Sequence, residues 1–158
     1  MVEVLPIRIL REEDGPIFGK EGVALGKLDR AGIPVASGLV ITAPHLKLRV
    51  ILEHHDFGSK EVFEQSLTLV KKEIEKIPIP EVLEREVGQH THFWLADSQI
   101  KSVKKLWLSL LFIWIEEIKN RLWQDGFYQG ITDGLESQTV IFVKKIEGWI
   151  GITNGDFC

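Results

Sequence analysis

Gly19-Lys20-Glu21-Gly22-Val23-Ala24-Leu25-Gly26-Lys27-Leu28, then Ala31-Gly32-Ile33-Pro34-Val35, then Gly38-Leu39-Val40-Ile41-Thr42, is the stretch whose reading decides the fold. Val23, Ala24, Leu25 and Leu28 fall on one helical face, and Gly32 is a good stop. Ile33-Pro34-Val35 opens an extended segment that continues through Gly38 to Ile41. The reading is a short helix followed by a strand.

Upstream, Val2 to Leu10 is β-rich and partly alternating, with Val2, Val4, Ile7 and Ile9 as the inward positions. Pro6 interrupts it, which predicts an edge strand. Asp14-Gly15-Pro16 is turn chemistry. Downstream, Thr42 is expected to cap a helix that has Pro44 near its first turn and runs to about Glu53. His54 to Gly58 ends it. A further helix starts at Ser59, with Val62, Phe63, Leu67, Val70 and Ile74 on its inner face and Lys71, Lys72, Glu73 and Glu75 outside. Pro78 and Pro80 break that helix, and a short one follows over Val82 to Val87. His92 to Leu95 reads as a short strand. Asp97-Ser98 is expected to cap a long helix reaching about Trp123. Gly126, Gly130 and Gly134 mark a loop-rich segment. Thr139 to Val143 and Trp149 to Ile152 read as a hairpin turning near Glu147-Gly148. The element order predicts an α+β fold, a mixed or antiparallel sheet packed with helices, in one domain over residues 1–158.

The bulk numbers agree with a globular chain: 158 residues, 44% apolar, 27% charged and a net charge of −4. Lysines and arginines are interspersed with acids, which argues against a nucleic-acid or acidic-membrane surface. Leu106 to Ile115 is apolar but for Ser109, and as a helix it would rise about 15 Å, half of a bilayer core. A buried helix is the expectation, with no membrane partner. The single cysteine, Cys158, excludes an internal disulfide, and Met1-Val2-Glu3-Val4 lacks the features of a signal peptide. A cytoplasmic location is the expectation.

The opening stretch resembles the start of the nucleotide-binding domain of the phosphoenolpyruvate synthase and pyruvate phosphate dikinase family. The family pattern there is roughly Gly-Gly-Lys-Gly/Asn-Ala-x-Leu-x-x-Leu, then Ala-Gly-Ile-Pro-Val-Pro-x-Gly-Phe-x-Ile-Thr. Phe18, Ala36 and Leu39 depart from it. Gly88-Gln89-His90-Thr91 with Trp107-Leu108-Ser109-Leu110, and Thr139 to Ile146, are similar to later family segments. The family's Arg-Ser-Ser motif and the acidic pair after it are missing, because Glu84-Arg85-Glu86-Val87 runs almost directly into Gly88-Gln89. The second ATP-grasp lobe with its magnesium-binding carboxylates, the phosphohistidine domain and the phosphoenolpyruvate barrel are missing too.

The resemblance implies a partial ATP-grasp-like N-lobe. It implies ATP with magnesium as ligand, phosphates near Gly19, Lys20 and Gly22, and the adenine near Val143, Lys144 and Ile146. Independently of the family, a lysine beside glycines at a helix start can put its ammonium on a phosphate while helix N–H groups add positive potential. The spacing is not that of a Walker A loop. Phosphoryl transfer needs several cations and carboxylate-held metal, so one lysine points to weak binding without catalysis.

Arg85, between Glu84 and Glu86, reads as a solvated, ion-paired residue. His90 and His92 share a strand face but lack a third ligand of convincing spacing, so no metal site is expected. Ser109 and Cys158 have no evident base. Trp94, Trp107, Phe112, Trp114 and Trp123 are most simply core. The helix over 106–123, apolar nearly all round, leaves a second expectation open: a surface for a protein partner or for self-association. A third is that the chain serves as one lobe of a split dikinase.

Overall fold

A computed structural model describes residues 2–54, 60–124 and 137–144. Strands β1 (Val4–Pro6), β2 (Ser37–Thr42), β3 (Phe93–Leu95), β4 (Ser98–Ile100) and β5 (Gln138–Lys144) form an antiparallel sheet in the order β1-β2-β5-β3-β4. The fold is α+β. β5, the last of these strands in the chain, lies at the centre of the sheet. It pairs with β2 from Ser37↔Lys144 to Thr42↔Gln138, and on its other side Phe142 pairs with Trp94.

Alternation along the central strands supplies two cores. Leu39, Ile41 and Ile141 face one side, where they join Leu48, Leu52, Val70, Ile74, Leu83 and Val87. Those residues come from helices α3 (His45–Glu53), α4 (Lys60–Ile74) and α5 (Glu81–Val87). The long helix α6 (Val103–Gln124) adds Leu106, Trp107, Leu110, Leu111, Trp114, Ile115 and Ile118, all buried. Val40, Val140 and Phe142 face the other side, against Ile7, Leu10, Phe18, Val23 and Leu25. There the cover is α1 (Gly15–Phe18) and α2 (Lys20–Arg30).

The indoles of α6 fix its position. Trp107 donates its Nε1–H to the Ile77 carbonyl at 3.2 Å, and Trp114 donates to Thr139 Oγ1 at 2.9 Å. The two rings meet edge to face, 5.9 Å between centroids. A buried indole needs such an acceptor, and these two tie α6 to the segment before α5 and to β5. α2 is held more closely. A Cβ on Gly26 would lie 2.2 Å from the Ile7 carbonyl oxygen, and the Arg30 guanidinium donates to the carbonyls of Arg8 and Leu10.

Three local expectations are corrected. The first strand stops at Pro6, and the chain turns through a 3-10 segment, Ile7–Ile9, which leaves Ile9 53% exposed instead of inward. Thr42 ends β2 rather than capping α3; its Oγ1 accepts from the Glu3 N–H at 2.8 Å, and Pro44 precedes the helix. Asp97-Ser98 does not cap α6. Residues 93–100 form the β3–β4 hairpin, with Ala96 at φ 52° in its turn. α6 opens at Val103, where the Ser102 hydroxyl accepts from the Lys105 N–H. Over the described side chains of α6, Leu106, Trp107, Leu110, Leu111, Trp114, Ile115 and Ile118 are buried, while Leu108, Phe112 and Ile113 are half-buried. Phe63 in α4, the loop glycines 126, 130 and 134, and the second hairpin arm, 149–152, lie outside what is described.

Candidate nucleotide-binding site

Lys20 is placed by a glycine. Phe18 ends α1 as a buried residue, and the Gly19 N–H donates to the Gly15 carbonyl at 2.9 Å. Gly19 then takes φ 87° and ψ 154°, a conformation that side chains resist. The space a Cβ would need there is already taken by the Gln138 amide, 2.6 Å away. The turn therefore lies directly on the start of β5, and α2 begins from it.

Lys20, the first residue of α2, is exposed. Its neighbour Glu21 is half-buried, and burial pushes the Glu21 carboxyl up from the ordinary glutamate range. Gly22 is buried one turn further on. A Cβ there would meet Leu10 at 2.9 Å, with Val140 and Val40 next nearest. Gly22 thus lets α2 approach the sheet and does not open toward solvent.

Gly19, Lys20 and Gly22 are brought together, and Val143 is kept apart from them. Gln138 and Val143 are separated by about 16 Å of strand at the usual rise. Val143 also packs, half-buried, against the core on the α3–α6 side, whereas α2 covers the opposite face. The Lys144 backbone continues β5 and pairs with Ser37. The side chain of Lys144 and the whole of Ile146 lie outside the described residues. Gln138 is the polar group at the turn that sequence reasoning missed. Its pattern marks it only as a strand start, and the contact with Gly19 is long-range.

Of three cavities lined by described residues, none is lined by Lys20. The one beside α1, about 340 Å³, is lined by Glu3, Pro16, Ile17, Thr42, Ala43, His45 and Ser137. Arg85 is exposed, with its Nε 3.3 Å from a Glu86 carboxylate oxygen. His92 Nδ1 lies 2.9 Å from Thr91 Oγ1, and its ring is near Trp94. Among the described residues no group of three His, Cys, Asp or Glu side chains could hold a metal. Among them, too, no helix is long and apolar enough to cross a membrane.

Chemically, the turn offers one exposed ammonium and the positive end of an eleven-residue helix. A carboxyl one residue away opposes an incoming anion. No family model, no curated protein and no solved structure matches the chain.

Proposed function

We propose that the chain is a degenerate, stand-alone ATP-grasp-like module related to phosphoenolpyruvate synthase and pyruvate phosphate dikinase. It takes a nucleotide weakly at the head of α2 and does not complete phosphotransfer by itself. The observation that carries this reading is the Gly19-Lys20 turn, which presents an exposed lysine at the start of a helix laid across β2 and β5. The same order, glycine-lysine turn, helix, then strand, is what the family resemblance implies.

The ligand is ATP with magnesium, its phosphates near Lys20. The Val143–Ile146 segment serves the adenine side, about the length of β5 away. Glu21 keeps the affinity low, since its charge opposes that of the phosphates. Catalysis needs cations and metal-binding carboxylates that Lys20 does not bring with it. A cytosolic location belongs to the same reading.

Self-association through residues 106–123 draws less support, because the core already engages most of that helix's apolar side chains. Service as one lobe of a split dikinase is compatible with the same turn.

Isothermal titration with ATP and magnesium tests the proposal. Wild type should give a weak, saturable heat, and Lys20→Ala should weaken binding by about fivefold, the worth of one exposed ion pair. Identical heats for the two proteins would remove Lys20 from the site. Pyruvate-dependent turnover of ATP by the purified chain would overturn the claim that it lacks catalysis.

A further inference from the structure

α6 meets the outer strand β4 along a groove of about 470 Å³, within the range of small-molecule sites. One wall is a stripe of α6, Lys105, Leu108, Ser109 and Phe112, at the three- and four-residue spacing that puts side chains on one helical face. Lys101 and Ser102 line it just ahead of the helix. From Lys105 to Phe112 the helix rises about 10 Å, so the stripe runs from a cationic end to an apolar one. Leu108 and Phe112 are half-buried, and the chain leaves part of each open to this groove.

The charged groups on the lining are Lys101 and Lys105, and no carboxylate joins them. Neither ammonium has an ion pair or a hydrogen bond among the described residues. Acids on neighbouring elements are placed elsewhere. Asp97 stands in the β3–β4 turn and does not line the groove, and Glu116 lies 3.9 Å from Lys71. The lysines also sit where the helix itself opposes them, since the first turn of α6 carries no acid and that end of a helix is positive. Two hydroxyls line the same wall. Ser102 Oγ accepts from the Lys105 N–H, which leaves its own hydrogen to donate. Ser109, the polar residue within the apolar run from Leu106 to Ile115, is half-buried, and its hydroxyl has no partner among the described residues.

We infer that this groove binds a small phosphate monoester with an apolar body. Its phosphate meets Lys101 and Lys105 with hydrogen bonds from the serine hydroxyls, and its body lies along Leu108 and Phe112. A phosphate monoester carries about two negative charges at neutral pH, which matches two unopposed lysines. A carboxylate answers one of them and a neutral ligand neither. A nucleoside triphosphate is longer than the stripe and would set a polar base against Leu108 and Phe112, which offer it no hydrogen bond. The site is separate from Lys20 and stands without the nucleotide reading.

Isothermal titration of the intact protein with 2-naphthyl phosphate, 2-naphthol and inorganic phosphate tests this. The ester should bind saturably at equimolar ratio, about fivefold or more tighter than either half of it. Lys101→Ala and Lys105→Ala should each weaken it about fivefold, the worth of one exposed ion pair. Lys105→Glu, which puts an acid in the first turn, should abolish binding and raise the melting temperature. Lys20→Ala should change nothing. No saturable binding, an affinity matched by 2-naphthol or by phosphate alone, or indifference to the lysine substitutions overturns the inference. So does a Lys105→Glu protein that melts no higher than wild type, because the lysine would then stand there at no cost. Loss of ester binding in Lys20→Ala overturns the placement and gives the ligand to the turn before α2.

Discussion

At the scale of single residues, Glu21 shows two effects in competition. It sits in the first turn of α2, where the helix end favours a carboxylate. It is also half-buried, and burial disfavours the charge. Burial prevails, and the folded-state pKa is raised. The folded chain then holds the Glu21 proton more tightly than the unfolded chain does. This stabilising contribution is fully present below the unfolded pKa and is lost as pH rises through the raised folded value. Glu21→Gln keeps the neutral form at every pH. Its melting temperature should exceed that of wild type at neutral pH, and the gap should close in acid. Thermal unfolding across a pH series checks this; a glutamine variant no more stable at neutral pH would mean that the carboxylate is well solvated there. Glu12 has the opposite sign. Its hydrogen bond and charge interaction with Lys27 lower its pKa, so its contribution is present above the unfolded pKa and lost as pH falls. Being exposed, that pair is screened by solvent.

Elements are set by close approach as much as by propensity. Alanine normally outranks glycine in a helix by about 1 kcal/mol. At Gly26 that gain is opposed by a backbone oxygen, which has no rotamer by which to yield. Gly26→Ala should therefore lose about 2 kcal/mol overall, within the usual cost of overpacking. Gly15→Ala meets no atom within 4 Å beyond its chain neighbours and carries only the local strain of a helical residue before Pro16, so it should cost less than Gly26→Ala. Denaturant titration of the two variants separates the cases, and equal stabilities would mean that α2 lifts freely from the Ile7 turn. Sequence periodicity located α2, α3, α4, α5 and α6 because each carries an apolar face of the right spacing. It placed the start of α6 too early, because Asp97-Ser98 has the chemistry of a cap and also that of a hairpin turn. Only pairing of Phe93 with Ile100 and Leu95 with Ser98 distinguishes the two. Such pairing between strands depends on partners that local pattern does not reveal.

At the scale of the whole molecule, the central place of β5 governs stability. Val140, Ile141 and Phe142 are buried, and between them they serve both cores. Removing this strand opens the sheet at its middle. A chain ended at residue 136 should lose cooperative unfolding, followed by circular dichroism; a cooperative melt in that variant would show that β1 and β2 with α1–α6 can close a core without it. The strand itself was legible as a β-rich run, but its pairing with β2 on one side and β3 on the other was not. The candidate site divides in the same way. Gly19 and Lys20 stood out by their chemistry, while the approach of Gln138 to that turn spans the length of the chain and left no local mark.

The outermost of the described strands are brief. β1 and β4 have three residues each, β1 contains Pro6, and Lys101 follows β4. A foreign strand arriving at either border finds few rungs to grip, and at Pro6 there is no amide hydrogen to offer it. The brevity that makes these borders weak contributors to stability thus also guards the protein against stacking into filaments.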